Sequence, residues 1–145
     1  MTAALPDEVA RRFPRAIVRL RARLRAESAL GDMRCTWSQL STLARIAEDG
    51  PATVSDLAVA EHVRPQSMAA TVAALRKAGF VAAKSDATDA RKTLMSVTPA
   101  GRRLLSDIRP VREAWLKTAI EQNLTSAESR TLLKAADIME RLADC

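Results

Sequence analysis

The sequence predicts a mainly α-helical fold that carries one small β-hairpin, and three observations support this. Alanine and leucine dominate the chain of 145 residues, and both residues favour helices. Only 4 glycines and 6 prolines occur, too few for disorder or for a β fold with many turns. Between residues 80 and 97, two short β-capable runs flank a polar, charged tip, which is the pattern of a hairpin.

Composition limits the class of protein further. The length fits one domain over residues 1–145, and a hydrophobic content of 48% is enough for a core. No apolar run approaches the roughly 18 residues that span a bilayer, and the N-terminus lacks the layout of a signal peptide, so we expect a cytoplasmic location and no membrane partner. The net charge of +6 attracts polyanions such as DNA or RNA, although charge alone identifies no partner.

The first helix is expected from about Pro6 to Ser28. Its apolar residues recur at helical spacing and form one stripe, made by Val9, Phe13, Ala16, Ile17, Leu20 and Leu24. Arginines crowd the remaining surface, which we interpret as a solvated helix face.

Three further helices follow, each with its own start signal. A capping box at residues 36–39 opens the second helix, which residues 49–51 (Asp-Gly-Pro) end. Thr53 opens a short third helix, and Pro65 begins a fourth of about 15 residues that Gly79 ends as a C-cap. Two short helices joined by a tight turn predict a helix–turn–helix.

The hairpin comes directly after this unit. Its predicted strands are Phe80–Lys84 and Thr93–Val97, and the basic tip between them is Ser85–Lys92. A basic hairpin in that position is the wing of a winged-helix DNA-binding unit. Residues 36–98 are therefore predicted to form a winged helix–turn–helix lobe that binds DNA.

Two helices are expected after the hairpin. Thr98 caps a long helix that begins at Pro99 and runs towards Asn123, and Pro110 should bend it or break it in two. A second capping box, at residues 125–128, opens the last helix.

The helices at residues 6–28 and 99–143 lie outside the helix–turn–helix, yet each carries an apolar stripe. We interpret them as dimerisation helices, because a symmetric homodimer suits a palindromic DNA site.

Short matches in a fixed order relate the chain to a known family. The strongest is Asp89-Ala90-Arg91, then a short strand, then Val97-Thr98-Pro99-Ala100-Gly101. Thr36, Gln39-Leu40, Leu57-Ala58 and the segment at 75–81 (Leu-Arg-Lys-Ala-Gly-Phe-Val) precede it. In these residues the chain resembles the MarR family of bacterial transcriptional regulators over nearly its whole length. That family's wing has Asp-x-Arg followed by Leu-Thr-x-x-Gly, and only the leucine differs here.

The resemblance implies an obligate dimer that binds a pseudo-palindromic operator on double-stranded DNA. It also implies release by a small molecule, frequently aromatic, or by an oxidant. We therefore expect a transcriptional repressor that a small aromatic ligand releases. Two alternatives remain: an oxidant-sensing repressor that uses Cys35, and a winged-helix module that binds protein instead of DNA. No nucleophile–base pair, glycine-rich phosphate loop or metal cluster is recognisable, so we expect no enzyme, cofactor or metal.

The helix–turn–helix departs from the family pattern at several positions. His62 stands where a glycine is usual, and Glu61 where the residue is usually apolar. Arg64 is a poor N-cap in a place that commonly holds aspartate or serine. Ala69 and Ala70 replace positions that are often threonine and arginine. These changes put a standard operator sequence in doubt, and not the fold.

Candidate DNA contacts come from the fourth helix and the wing. Gln66 lies near the helix N-terminus, where an amide can pair with adenine, and Arg91 at the hairpin tip suits a narrow A·T minor groove. Asp89 is expected to fix the loop that carries Arg91. The full set is Arg64, Pro65, Gln66, Ser67, Ala69, Ala70, Arg76 and Lys77 on the helix, with Lys84, Asp89, Arg91 and Lys92 on the wing.

The resemblance also places a ligand pocket between the dimer helices and the DNA-binding lobe. By that analogy the candidate lining residues are Phe13, Ile17, Met33, Trp37 and Trp115, for which ordinary core packing is the alternative.

Cys35 is the candidate redox residue. It follows Arg34 just before a helix start, a setting that can lower a thiol pKa, and a buried inert cysteine is the alternative.

Overall fold

The computed structural model describes residues 4–27 and 35–145, and these form helices with a single two-stranded antiparallel hairpin. The elements are α1 (Ala4–Glu27), α2 (Trp37–Asp49), α3 (Val54–Ala60), α4 (Pro65–Lys77), β1 (Val81–Ser85), β2 (Thr93–Val97), α5 (Pro99–Asn123) and α6 (Ser126–Ala143). The predicted mainly α-helical fold with a winged helix–turn–helix arrangement is confirmed. None of the helices in the described part of the chain could cross a membrane.

Side-chain caps decide where most helices begin. The capping box of α2 joins Thr36 and Gln39 by two hydrogen bonds. The Gln39 backbone N–H donates to the Thr36 hydroxyl at 3.2 Å, and the Thr36 backbone N–H donates to the Gln39 side-chain oxygen at 3.0 Å. The predicted box at Thr125 is also present. A further box opens α3 at Thr53. Helix α4 differs, because its N-cap residue Arg64 makes no side-chain cap hydrogen bond, as its poor capping propensity predicts.

Some elements differ from the predictions: α1 begins at Ala4 and not at Pro6, and β1 extends to Ser85 and not to Lys84. The first strand begins at Val81 and not at Phe80, because the Phe80 N–H donates to the Leu75 carbonyl and so closes the end of α4. Of the two outcomes expected at Pro110, the break is wrong, since α5 continues through it. The neighbouring Ile108 is buried on the lobe, which keeps this part of the helix packed.

The core lies where α2, α3, α4 and the hairpin meet. Its fully buried side chains are Leu43, Leu57, Met68 and Leu75. Ala52, in the loop before α3, exchanges backbone hydrogen bonds with Met95 of β2 at 3.2 and 2.8 Å, so the wing is tied to the helix–turn–helix. The lobe therefore has a continuous core of its own.

One junction joins the end of α4, the wing and the start of α5. The Thr98 hydroxyl donates to the Gly79 carbonyl at 2.6 Å and accepts the Gly101 N–H at 3.2 Å. The Thr98 N–H donates to the Phe80 carbonyl at 3.0 Å. Gly79 has a φ of +81°, a left-handed conformation that favours glycine. We call the contacts among these residues the Thr98 junction.

The terminal helices α1 and α6 contain no buried residue. Of their predicted apolar stripes, Val9, Ile17 and Leu20 on α1 and Leu132, Leu133, Met139 and Leu142 on α6 are exposed, and so are the further apolar residues Leu5, Val18 and Ile138. Within the described chain, these side chains therefore lack the cover that apolar residues of a folded protein normally obtain.

Two arginines of α1 contact tryptophans of the other helices. The Arg21 guanidinium lies 5.7 Å from the centre of the Trp37 ring, and that of Arg23 lies 5.7 Å from the Trp115 ring. Both arginines are exposed, as the interpretation of a solvated face predicts, and in addition they lie over aromatic rings. Cation–π contacts of this kind attach α1 to α2 and α5.

We predict that Gly101→Ala destabilises the protein by about 1–3 kcal/mol, in the range of overpacking a filled site. A Cβ at Gly101 would collide with the Phe80 carbonyl oxygen and lie 2.9 Å from Cγ1 of Val97. Urea unfolding followed by circular dichroism measures the loss. Ser106→Ala, an exposed change on the same helix, is the control, and an equal unfolding midpoint for the two variants would contradict the tight fit of the junction.

Candidate nucleic-acid interface

Helix α4 presents one face to the core and the opposite face to solvent. Met68, Val72 and Leu75 are buried, and Thr71 beside them is half-buried. The predicted contact residues on the other face are all exposed, namely Arg64, Pro65, Gln66, Ser67, Ala69, Ala70, Arg76 and Lys77. The structure thus brings the helix part of the candidate set together on one accessible surface.

Few polar groups on this face are free to contact bases. The Thr71 hydroxyl donates to the Ser67 carbonyl at 3.1 Å and is therefore used within the helix. Gln66 and Ser67 remain as short polar side chains near the N-terminus, where recognition helices contact base edges. Arg76 and Lys77 lie in the last turn, suited to backbone phosphates.

The turn before α4 has an unusual backbone. His62 has a φ of +53°, in the left-handed region that non-glycine residues seldom occupy. This geometry explains why a glycine is usual at that position in the resembled family. The His62 N–H donates to the Val59 carbonyl at 3.1 Å, which holds the turn in this conformation.

A polar cluster ties the same turn to α2. The Glu61 carboxylate accepts a hydrogen bond from Nε of Arg45 at 2.7 Å and one from the Ser41 hydroxyl at 3.3 Å. The Glu61 side chain is only 19% exposed, so its charge is partly shielded from water. The hydrogen bond to Glu61 raises the pKa of Arg45 above its ordinary value. Sequence reasoning marked Glu61 as a departure from the family and missed its partner, which is 16 residues away.

The wing tip holds an arginine in a defined position. Oδ1 of Asp89 accepts the Arg91 backbone N–H at 3.1 Å and its Nε at 3.2 Å. The Arg91 side chain is 92% exposed and that of Asp89 is 31% exposed. The expected contact between the two residues is present, and it directs a guanidinium away from the body of the protein.

A second aspartate, Asp86, stabilises the conformation of the wing tip, and sequence reasoning missed it. Oδ1 of Asp86 accepts both the N–H and the hydroxyl of Thr88 at 3.0 Å. These hydrogen bonds hold the pKa of the Asp86 carboxyl below its usual value. The Asp86 N–H also donates to the Lys92 carbonyl at 3.0 Å. The Asp-x-Thr spacing is the signal of an Asx turn that could have identified it. Lys84 and Lys92 are exposed on either side of this tip.

A cavity of about 410 Å³ lies between α2 and α5, and Glu61 also lines it. Of the predicted ligand-lining residues that the structure describes, Trp37 alone lines it. Phe13 and Trp115 are half-buried and do not line the cavity, Ile17 is exposed, and Met33 lies outside the described residues. Helix α5 contributes Leu105, Ile108 and Arg112 to the wall, whereas Trp115 lies against Arg23 of α1.

Charged groups form much of the cavity wall. Arg112 lies over the Trp37 ring at 4.5 Å, and its buried Nε has no hydrogen-bond partner among the described residues. Burial, aided by the nearby charge of Arg109, lowers the pKa of Arg112. Arg109 itself bonds Glu48 across the opening at 3.2 Å. The cavity therefore offers a ligand an unpaired donor atom on a guanidinium that is stacked over Trp37.

Cys35 is buried, with 8% of its surface exposed. Burial raises the pKa of its thiol, opposite to the lowering expected from the neighbouring Arg34, which lies outside the described residues. The thiol form is therefore favoured at neutral pH, and the inert alternative fits this environment better than a reactive thiolate.

Comparison with known proteins places this geometry in a family. The profile of the MarR family matches residues 35–93. An HTH-type transcriptional regulator of Mycobacterium bovis is 36% identical over 129 residues, which cover 89% of this chain and 88% of that protein. The crystal structure of a transcriptional regulator from Pseudomonas aeruginosa PA01 superposes with a TM-score of 0.76 at 31% identity, over 95% of each chain.

A third similar structure is that of BpsR from Bordetella bronchiseptica, whose DNA binding is regulated by 6-hydroxynicotinic acid. It has a TM-score of 0.72 and 23% identity, over 91% of this chain and 92% of BpsR. The identity and coverage shared with the Mycobacterium bovis regulator, together with the matched wing and helix–turn–helix, show that the chain belongs to the MarR family of DNA-binding transcriptional regulators.

Proposed function

We propose that this regulator is a homodimeric repressor that binds a pseudo-palindromic operator and releases it when a small aromatic ligand binds. The observation that carries the proposal is the braced wing tip, in which Asp89 holds the exposed Arg91 beyond the hairpin. An arginine presented in this way fits a narrow minor groove, where the negative potential is strongest.

In this proposal α4 enters the major groove while the wing contacts the adjacent minor groove. Gln66 and Ser67 contact base edges, and Pro65, Ala69 and Ala70 make apolar contacts, for example with thymine methyl groups. Arg64, Arg76, Lys77, Lys84 and Lys92 bind phosphates, which adds affinity and salt dependence without sequence information.

The terminal helices form the dimer interface in this proposal. Residues 36–98 are then the DNA-binding lobe, and residues 6–28 and 99–143 supply the dimerisation helices. The exposed apolar side chains of α1 and α6 support this division, because a second copy would cover them. A two-fold dimer also accounts for a palindromic operator.

The cavity between α2 and α5 is the proposed ligand site. Its wall carries the Arg112 guanidinium, which is stacked over Trp37 and suits stacking against a planar ring. Regulation of BpsR by an aromatic acid supports the choice of ligand class, since the two proteins share the fold. Oxidation of Cys35 is the weaker route to release because the thiol is buried.

We expect Arg91→Ala to weaken binding to DNA from the protein's own upstream region by about tenfold, through loss of the minor-groove contact. Fluorescence anisotropy at two salt concentrations measures the affinity. Arg130→Ala, which removes an exposed arginine of α6, should leave it within about twofold. An equal loss of DNA affinity in both variants would mean that Arg91 contributes only general electrostatic attraction.

Leu132→Glu should weaken the dimer by at least about tenfold, because it places a charge in the apolar stripe of α6. Leu132 is 44% exposed in the single chain, so the monomer should keep its fold. Sedimentation equilibrium gives the dissociation constant. Thr131→Glu adds the same charge beside the stripe and should not change it; equal effects of the two changes would exclude α6 from the interface.

The two cysteines should differ in reactivity towards a disulfide reagent. The exposed Cys145 is expected to react first, and Cys35 only when the protein is unfolded, since its thiol is buried and its pKa raised. Absorbance of the released thiolate follows both steps. The oxidant-sensing mechanism would instead be favoured if both thiols of the native protein react fast and DNA binding is lost. In that case Cys35→Ser should prevent the loss of DNA binding.

A further inference from the structure

We propose that Glu61 and Arg45 are positioning residues for DNA binding, whose ion pair fixes the angle at which α4 meets the DNA. The inference rests on the proposed role of α4 as the recognition helix. It assigns a function to a residue at which this chain departs from the family pattern.

Contacts of two kinds hold α4 and the turn before it against the core. In the first turn of α4, Met68 is fully buried, and its sulfur accepts a weak hydrogen bond from the Thr42 hydroxyl of α2 at 3.8 Å. Such buried contacts hold the helix against the core but have little directional preference. The second kind lies at the turn, where the Glu61 carboxylate accepts hydrogen bonds from Arg45 and Ser41 of α2. These directional contacts restrict the position at which α4 begins.

The position of the first turn of α4 depends on the contact of Glu61 with α2. Arg64 provides no side-chain cap, so the first turn of α4 lacks the anchor that the threonine caps give to α2 and α3. His62 adds a left-handed residue, which is costly unless its surroundings hold it. Glu61 directly precedes His62 and is therefore placed to hold the turn.

Partial burial makes the attraction between Glu61 and Arg45 stronger than that of an ordinary surface ion pair. The side chains are 19% and 37% exposed, and the N–O distance is 2.7 Å. By contrast, Arg109 and Glu48 join α5 to α2 with side chains 65% and 64% exposed. An ion pair as exposed as Arg109–Glu48 contributes little to stability, whereas shielding from water strengthens the attraction between Glu61 and Arg45.

Because Glu61 and Arg45 carry opposite charges, their variants distinguish a positioning role from simple electrostatic attraction to DNA. Removing the negative Glu61 should strengthen DNA binding if electrostatics alone decide, and removing the positive Arg45 should weaken it. If the pair positions α4, both changes weaken binding to the operator. Non-specific binding, which needs no defined helix angle, should follow the electrostatic signs.

The experiment compares Glu61→Leu and Arg45→Met, which keep side-chain size and remove the pairing groups. DNA selected from genomic fragments by the wild-type protein serves as operator, and a shuffled duplex as the non-specific reference. We expect each variant to lose about five- to tenfold in operator affinity, and the double variant no more than the larger single loss. Glu61→Gln, which keeps an acceptor for Arg45 and Ser41, should recover most of the affinity. Glu121→Leu and Lys117→Met, which remove an exposed ion pair of α5 that does not line the cavity, are the matched controls.

The outcomes are distinct. Weaker operator binding by Glu61→Leu, with unchanged or stronger binding to the shuffled duplex, supports the positioning role. Tighter binding of that variant to both DNAs overturns it. If Glu61→Leu or Arg45→Met unfolds below the assay temperature, amide exchange of the milder Glu61→Gln variant decides. Protection at residues 61–64 must then be lower than in the wild type, while protection within α6 is unchanged, and equal protection at residues 61–64 overturns the proposal. No selection of any DNA by the wild-type protein would instead overturn the proposed function itself.

Discussion

The arrangement of the DNA-binding lobe depends on the hydroxyl group of Thr98. This group bonds Gly79 behind it and Gly101 ahead of it, so the end of α4 and the first turn of α5 meet at one atom. The wing leaves and returns between these two points, which sets its direction relative to α4. A hydrogen bond in such a place adds about 1 kcal/mol, but its geometric effect is larger because three elements share it. The absence of a side chain at Gly101 allows the approach.

The molecule divides into a lobe that packs on itself and outer helices that do not. The lobe buries residues from α2, α3, α4 and both strands in one cluster, to which α5 adds Ile108. In contrast, α1 and α6 bury none, and α1 is joined to the remainder partly by stacking of arginine on tryptophan. Helix α1 thus obtains part of its stability from contacts of a different kind, for which its many arginines are suited.

Sequence reasoning succeeded where the signal was local. The threonine caps, Gly79 and the polar hairpin tip each act within a few residues, so the starts of α2 to α6 and the wing could be located. It failed where contacts join distant residues: Arg45 with Glu61, Arg21 with Trp37, and the cavity wall between α2 and α5. For Cys35 the sequence offered two interpretations, a reactive thiol beside an arginine and a buried inert thiol, and burial, which raises the thiol pKa, favours the second.

The position of the aromatic residues has a spectroscopic consequence. The chain contains two tryptophans and no tyrosine, so its near-ultraviolet emission arises almost wholly from Trp37 and Trp115. Both indoles lie under arginines of α1, and neither belongs to α4 or the wing. Displacement of α1 changes the surroundings of both fluorophores at once. The protein therefore contains its own optical probe for the attachment of this helix, and no dye needs to be added to follow it.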